Sequence, residues 1–365
     1  MQLRIPGPTP IPPEILNVLS RQMINHRGPQ FAELIQGMTA ILKEIFQTKG
    51  DVFILTGSGT GGMEAAIVNM LSPGDKVLVV SNGFFGERFA DIAEGFGAQV
   101  DRLRFEWGSP VDPETVRQAL ARDPGVKAVL VTHNETSTGV TNDLASIGAV
   151  VKEFEKLFLV DAISSLGAID LPTDAWGCDV VVTASQKGWM VPPGLAMVSV
   201  SEKAWQAQAK ARMPKYYWDF AKAKKFLDEK GQTPWTPCLS VFFALAAALE
   251  LFQREGLPNI VARHVRVGNK TREAVKALGL PLFPADSHAS NTVTAVRAPE
   301  GLDVKKLLAI LREEHDVVLS GGQQMLEGKI FRIGHLGYVS EADIDEVMAA
   351  LRVALPQAGF AGGGK

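Results

Sequence analysis

Residues 51–66 read DVFILTGSGTGGMEAA: a short apolar run, a glycine-rich turn and the opening of a helical pattern. The run is continuous rather than alternating, as in a strand buried on both faces. The same unit recurs downstream, with apolar runs at 76–80 (KVLVV), 99–105 (QVDRLRF), 126–132 (VKAVLVT), 157–161 (LFLVD), 179–185 (DVVVTAS) and 195–200 (LAMVSV). Helical stretches such as Met63–Leu71 and Glu87–Phe96 lie between them. Strand–helix alternation of this kind predicts an α/β fold with a doubly wound, mostly parallel seven-stranded sheet.

The pattern changes on either side of this core. Phe31, Leu34, Ile35, Met38, Leu42, Ile45 and Phe46 keep helical spacing and predict an amphipathic helix. The preceding PGPTPIPPEI is too proline-rich for regular structure and reads as an extended arm. After the sheet, Val241–Gln253 and Ile260–Leu278 read as long helices. Strands near Thr292–Val296 and Ile330–Ile333 then alternate with helices near Val304–Glu313 and Glu341–Leu351, an α+β pattern. The expected organisation is an arm at 1–16, a large domain at 17–255 and a small C-terminal domain at 256–365, with an irregular tail AGFAGGGK.

The chain has 365 residues, 46% of them hydrophobic and 21% charged, which excludes wholesale disorder. Its 37 basic and 40 acidic residues leave a net charge of −3, with no basic stripe for nucleic acid. Two cysteines, Cys178 and Cys238, rule out a disulfide framework and point to a reducing compartment. The start shows no signal-peptide pattern, and the longest apolar run, 241–249, is too short to span a bilayer. A soluble, cytoplasmic protein without membrane contact is expected.

Gly57-Ser-Gly-Thr-Gly-Gly62 matches the dinucleotide fingerprint G-x-G-x-x-G. Such a site also wants an acid ending the second strand, and here that strand ends Val80-Ser81-Asn82. Keeping the phosphate and dropping the nucleotide is simpler. A glycine-rich loop opening a helix offers free backbone N–H groups and the positive end of a dipole, and Ser58 and Thr60 add hydroxyls. A tight turn requiring glycine is the plain alternative.

Three further features fall where strands end: His133-Asn-Glu-Thr-Ser-Thr-Gly139, Asp161, and Gln186-Lys187. Ligands of open α/β sheets bind outside the carboxyl ends of the strands. Singly, Asp161 could be a helix cap and Lys187 a surface turn lysine. Together, a lysine nucleophile, a carboxylate for a pyridinium nitrogen and a phosphate cup are the three grips of pyridoxal 5′-phosphate (PLP).

The motifs PGPTP, TGSGTGGMEAA, NGFFGER, THNETSTGV, VDAISSLGA, ASQKGWMVPPG, TPWTP and FRIGHLGY follow one another along nearly the whole chain. In this order they resemble a class V, fold type I aminotransferase of the alanine–glyoxylate, serine–glyoxylate and serine–pyruvate branch. The resemblance implies that Lys187 carries the cofactor and Asp161 faces its ring nitrogen. It implies phosphate ligands at Ser58, Gly59, Thr60 and Gln186, and at Thr236 from a second subunit of a homodimer. Thr136 resembles the residue bonding the cofactor's 3′-oxygen, Arg332 the clamp on the substrate carboxylate, and Gly7 a backbone contact to that carboxylate.

Two positions depart from the branch. Phe85 stands where a tryptophan often stacks on the ring, and it could equally be core. Thr233 stands where a tyrosine often reaches the phosphate. Arg332 could instead make a domain-interface ion pair, and His133 and His335 read as structural rather than as metal ligands. The function expected is transfer of an amino group from alanine or serine to glyoxylate or pyruvate by a ping-pong route. The alternatives are an aspartate donor, a phosphonate transaminase, a desulfurase, or a catalytically silent PLP-binding subunit.

Overall fold

The computed structural model describes residues 1–360. The chain begins with β1 (Gln2–Leu3), α1 (Pro13–Val18) and α2 (Pro29–Phe46). It continues through β2 (Asp51–Thr56), α3 (Gly59–Met70), β3 (Lys76–Ser81), α4 (Phe84–Gly95), β4 (Gln99–Arg104) and α5 (Pro113–Arg122). Next come β5 (Ala128–Thr132), the short hairpin of β6 (Asn134–Glu135) and β7 (Val140–Thr141), and α6 (Leu144–Glu153). Then follow β8 (Leu157–Asp161), β9 (Val180–Ala184), β10 (Leu195–Val200), α7 (Glu202–Gln208), α8 (Phe220–Lys230) and α9 (Leu239–Glu255). The remainder comprises α10 (Leu257–Ala277), β11 (Val293–Arg297), α11 (Val304–His315), β12 (Val317–Val318), β13 (Ser320–Gly321), β14 (Ile330–Gly334) and α12 (Glu341–Gln357).

The central sheet has seven strands in the order β2-β10-β9-β8-β5-β3-β4. β10 is antiparallel to both of its neighbours, and the other pairings are parallel. Every residue of β5, β8, β9 and β10 is buried, which is why these runs do not alternate. One apolar cluster lies under α2, α6 and α9, including Phe31, Leu42, Phe158, Trp189 and Phe242. Another lies under α3 and α4, including Met63, Ile67, Phe89 and Phe220. A separate cluster joins α10, α11 and α12 to a three-stranded sheet, β11-β14-β13. Helix starts follow side-chain chemistry: Asp112, Asp143, Ser201, Asp219 and Asp303 each cap a helix, and Ser340 with Asp343 forms a capping box on α12.

The arm departs from the extended reading. Pro12 and Pro13 start a short helix, α1, because proline's fixed φ suits the first helical position and its missing N–H is not needed there. β1 pairs in parallel with β12, so the first residues join the C-terminal part of the chain. Of the expected irregular tail, Ala358 is buried and Phe360 packs against the C-terminal cluster; residues 361–365 lie outside the described part. Among the described residues no helix is long and apolar enough to cross a membrane.

Candidate active site

The carboxyl ends of β2, β5, β8 and β9 converge on one cavity of about 130 Å³. Its floor at one end is the turn after β2, Ser58, Gly59 and Thr60, at the N-terminus of α3. Ser58 Oγ accepts from Gly61 N, capping the helix. Gly59 must lack a side chain, since a Cβ there would lie 2.6 Å from Ile163 Cδ1 and 2.9 Å from Ala184 Cβ. Gln186 shares this wall, and its buried Oε1 has no hydrogen-bond partner.

Asp161 ends β8, opposite Thr132 of β5, and is 3% exposed. Its Oδ1 accepts from Ile163 N at 2.9 Å. Burial pushes its carboxyl up to about 7; nearby Glu135 adds to the rise, while Lys187 and Arg88 oppose it. Lys187 follows β9 in the turn that Trp189 anchors by donating Nε1–H to Thr183 Oγ1 at 2.9 Å. Burial pulls its amine down to about 8, Asp161 acting against the fall and Arg332 and Arg88 with it. The Nζ donates to the carbonyl of Pro6 at 2.6 Å.

Phe85 and Arg88 close the cavity from α4, the guanidinium 5.0 Å from the centre of the Phe85 ring. Thr136 and Ser164 close it from the other side, their hydroxyls 3.2 Å apart. Arg332, on β14, is 6% exposed and donates to the carbonyls of Gly321 (2.9 Å) and Thr136 (3.1 Å) and to Gln323 Oε1 (3.2 Å). It makes no ion pair among the described residues, and burial pulls it down to about 10, Glu135 opposing. An arginine held by neutral acceptors keeps charge to offer an anion.

Ser58, Gly59, Thr60, Phe85, Thr136, Asp161, Gln186 and Lys187 therefore line one cavity. Gly7 lies against Lys187: at its φ of 119° a Cβ would sit 2.7–2.9 Å from three atoms of that side chain. Arg332 reaches the cavity wall through Thr136. Thr236 is not brought there; it is exposed and lines a separate cleft with Tyr217 and Trp235. The hydroxyl of Thr233 is engaged with the Trp235 carbonyl at 2.7 Å. His133 packs edge-on against Trp176, and His335 bonds Thr294 and Asn291. Sequence reasoning passed over Pro6, Arg88, Asn134, Glu135 and Ser164. All five lie within the motifs PGPTP, NGFFGER, THNETSTGV and VDAISSLGA, but only Arg88, a charge in the first turns of a helix that opens at Gly83, carries a local signal.

The residues present fit PLP: free N–H groups and a dipole for the phosphate, an orphaned amide, a desolvated lysine and a buried carboxylate within one walled space. The chain matches the family model described as Aminotransferase class-V over residues 6–347 and belongs to that family. Its fold is that of the fold type I PLP transferases, and PLP is the family's cofactor. The chain is 48% identical over 362 residues to the "Soluble hydrogenase 42 kDa subunit" of Anabaena cylindrica, covering 98% of this chain and 94% of that one. It is 39% identical to the "L-aspartate--glyoxylate aminotransferase" of Paracoccus denitrificans, covering 93% and 87%. The crystal structure of an alanine–glyoxylate aminotransferase from Nostoc sp. superposes with a TM-score of 0.94 at 32% identity, covering 97% and 95%.

Proposed function

We propose that this protein transfers the amino group of a small L-amino acid, alanine or serine, to glyoxylate or pyruvate by a ping-pong route. One observation carries this reading: the amine of Lys187 and the carboxylate of Asp161 line one cavity whose wall the unpaired Arg332 supports. PLP, when bound, supplies an electron sink for the charge left on the substrate Cα. Lys187 would hold the cofactor, and its partly neutral Nζ would take the proton from the substrate Cα. Asp161 keeps the proton on the cofactor's ring nitrogen. Arg332 binds the substrate carboxylate and so orients the Cα–H bond. Ser58, Gly59, Thr60 and Gln186 hold the phosphate, Thr136 the 3′-oxygen, and Phe85 covers the ring face. Gly7, packed on Lys187, would meet the substrate carboxylate through its backbone.

The assembly we infer is a homodimer in which Thr236, remote from its own cavity, reaches the partner's phosphate site. Light scattering behind size exclusion tests this; an active monomer contradicts it. The glyoxylate acceptor is supported by the names of both aminotransferase relatives. The aspartate donor in one of those names favours a second reading in which L-aspartate replaces alanine or serine. The hydrogenase name of another relative does not displace transamination, because Lys187, Asp161 and the phosphate-cup residues Ser58, Gly59, Thr60 and Gln186 line one cavity here. Half-reactions with L-alanine, L-serine and L-aspartate, followed spectroscopically and reversed by glyoxylate, identify the donor. A bound chromophore unresponsive to all three sinks both readings.

A further inference from the structure

Helix α4 carries Phe85 and Arg88 to the cavity, yet its own N-cap, Gly83, has no side chain to satisfy the first-turn amides. Those amides are satisfied from another element. Glu135 Oε2 accepts from Phe85 N and from Gly86 N, both at 3.0 Å. Its Oε1 accepts from Ser137 N at 3.0 Å and from Ser137 Oγ at 2.6 Å. Ser137 Oγ in turn accepts from Phe84 N at 2.9 Å. Three consecutive orphan N–H groups are thus closed by two side chains of the segment after β5. Glu135 is fully buried, and all four of its hydrogen bonds are ones it accepts, which is the environment of a carboxylate at the positive end of a helix dipole. Burial holds its carboxyl above the usual carboxylate range, and the bonds to Ser137, Gly86 and Phe85 offset only part of that rise. Gly83 is required for this approach, since a Cβ there would overlap Cγ and Cδ of Glu135.

Residues 135–137 face both ways. Glu135 and Ser137 turn to α4, while Thr136 between them lines the cavity and receives Arg332 on its carbonyl. We propose that Glu135 is a positioning residue that fixes the ring-covering wall of α4 and the Thr136 support of Arg332 in one register. The inference rests on the reading of the cavity as the PLP site. It assigns roles to Gly83, Glu135 and Ser137, which the proposed chemistry leaves without one.

The test compares wild type with Glu135→Gln and Ser137→Ala. Glutamine keeps the shape but presents an NH₂ to at least one N–H donor. Three quantities are read: the dissociation constant for PLP on apoprotein, the visible circular dichroism of the bound cofactor, and hydrogen exchange at Phe84–Gly86. Glu135→Gln is expected to raise the dissociation constant at least tenfold, to change the visible dichroism per bound cofactor, and to speed exchange at those three amides. Ser137→Ala is expected to do the same to a smaller degree, and it decides the matter if the Gln variant does not fold. A lower melting temperature with the dissociation constant within twofold and unchanged dichroism overturns the proposal. If wild type binds no PLP, the reading of the cavity fails, whereas unchanged exchange in a cofactor-binding protein refutes the anchor itself.

Discussion

Among the described residues Lys187 has no carboxylate within ion-pair distance, and its amine donates to the Pro6 carbonyl alone. An amine so placed loses its proton more readily than one in water, and only the neutral form attacks a carbonyl carbon. Because burial has drawn it down to about 8, the rate of PLP capture by apoprotein should rise with pH through a midpoint near 8. Stopped-flow absorbance reads this; a midpoint near 10.5, the ordinary lysine value, contradicts it. Asp161 lies in the opposite regime, pushed up to about 7 because burial disfavours its charge. A cation facing it, such as a protonated ring nitrogen, relieves that cost. Asp161→Asn should therefore weaken PLP binding and lower turnover by on the order of 10²–10³-fold, measured by equilibrium binding and by steady-state assay. Near-wild-type values for both would remove Asp161 from the role assigned to it.

Among the elements, the N-terminal arm ties distant parts of the chain together. Gly334 N donates to the Arg4 carbonyl, and Arg4 pairs with Asp343 at 2.6 Å. Thr9 bonds the backbone of Gln186 and Lys187. A Cβ on Gly334 would overlap the carbonyl of Ile5, a backbone atom that cannot move aside alone. Gly334→Ala should thus lift the arm from β14, speed proteolysis within residues 1–12 and loosen the Pro6 contact to Lys187. Limited proteolysis with mass spectrometry checks this, and an unchanged cleavage pattern contradicts it. The helices obey simpler rules. Gly62 faces Val182 and Ala196, where a Cβ would come within 2.7 and 3.0 Å. Gly62→Ala should cost about 1–3 kcal/mol through overpacking of α3 on the sheet, read from chemical denaturation.

At the scale of the molecule, burial of neutral histidines couples stability to pH. His133, His264 and His335 are held down to about 3, 4 and 3, in each case chiefly by burial. A group whose folded value is depressed contributes stability above its unfolded value of 6.5, and the contribution is lost as pH falls. One pH unit below 6.5 the loss is about 1.4 kcal/mol per histidine. Asp161 and Glu135, whose folded values are raised chiefly by burial, work the other way and offset part of it. The apoprotein should therefore melt at lower temperature at pH 5.5 than at pH 7.5, and His264→Gln should flatten the difference.

Much of this architecture was legible in the chain. The unbroken apolar runs of β5, β8 and β9 mark strands buried on both faces, and their ends locate Asp161 and Lys187. What was not legible depends on contacts far apart in sequence. No local pattern shows that Pro6 meets Lys187, or that Glu135 serves as the cap of a helix that begins at Phe84. Helix α1 was missed because its prolines sit where a helix starts rather than where one breaks.

The most direct test of the account is chemical. Purified protein loaded with PLP, reduced with borohydride and digested should yield one cofactor-bearing peptide, labelled at Lys187. Lys187→Ala should bind PLP without retaining it on reduction and should show no measurable transamination. Label on another lysine, or transamination by Lys187→Ala at near-wild-type rate, would contradict the assignment on which the mechanism stands.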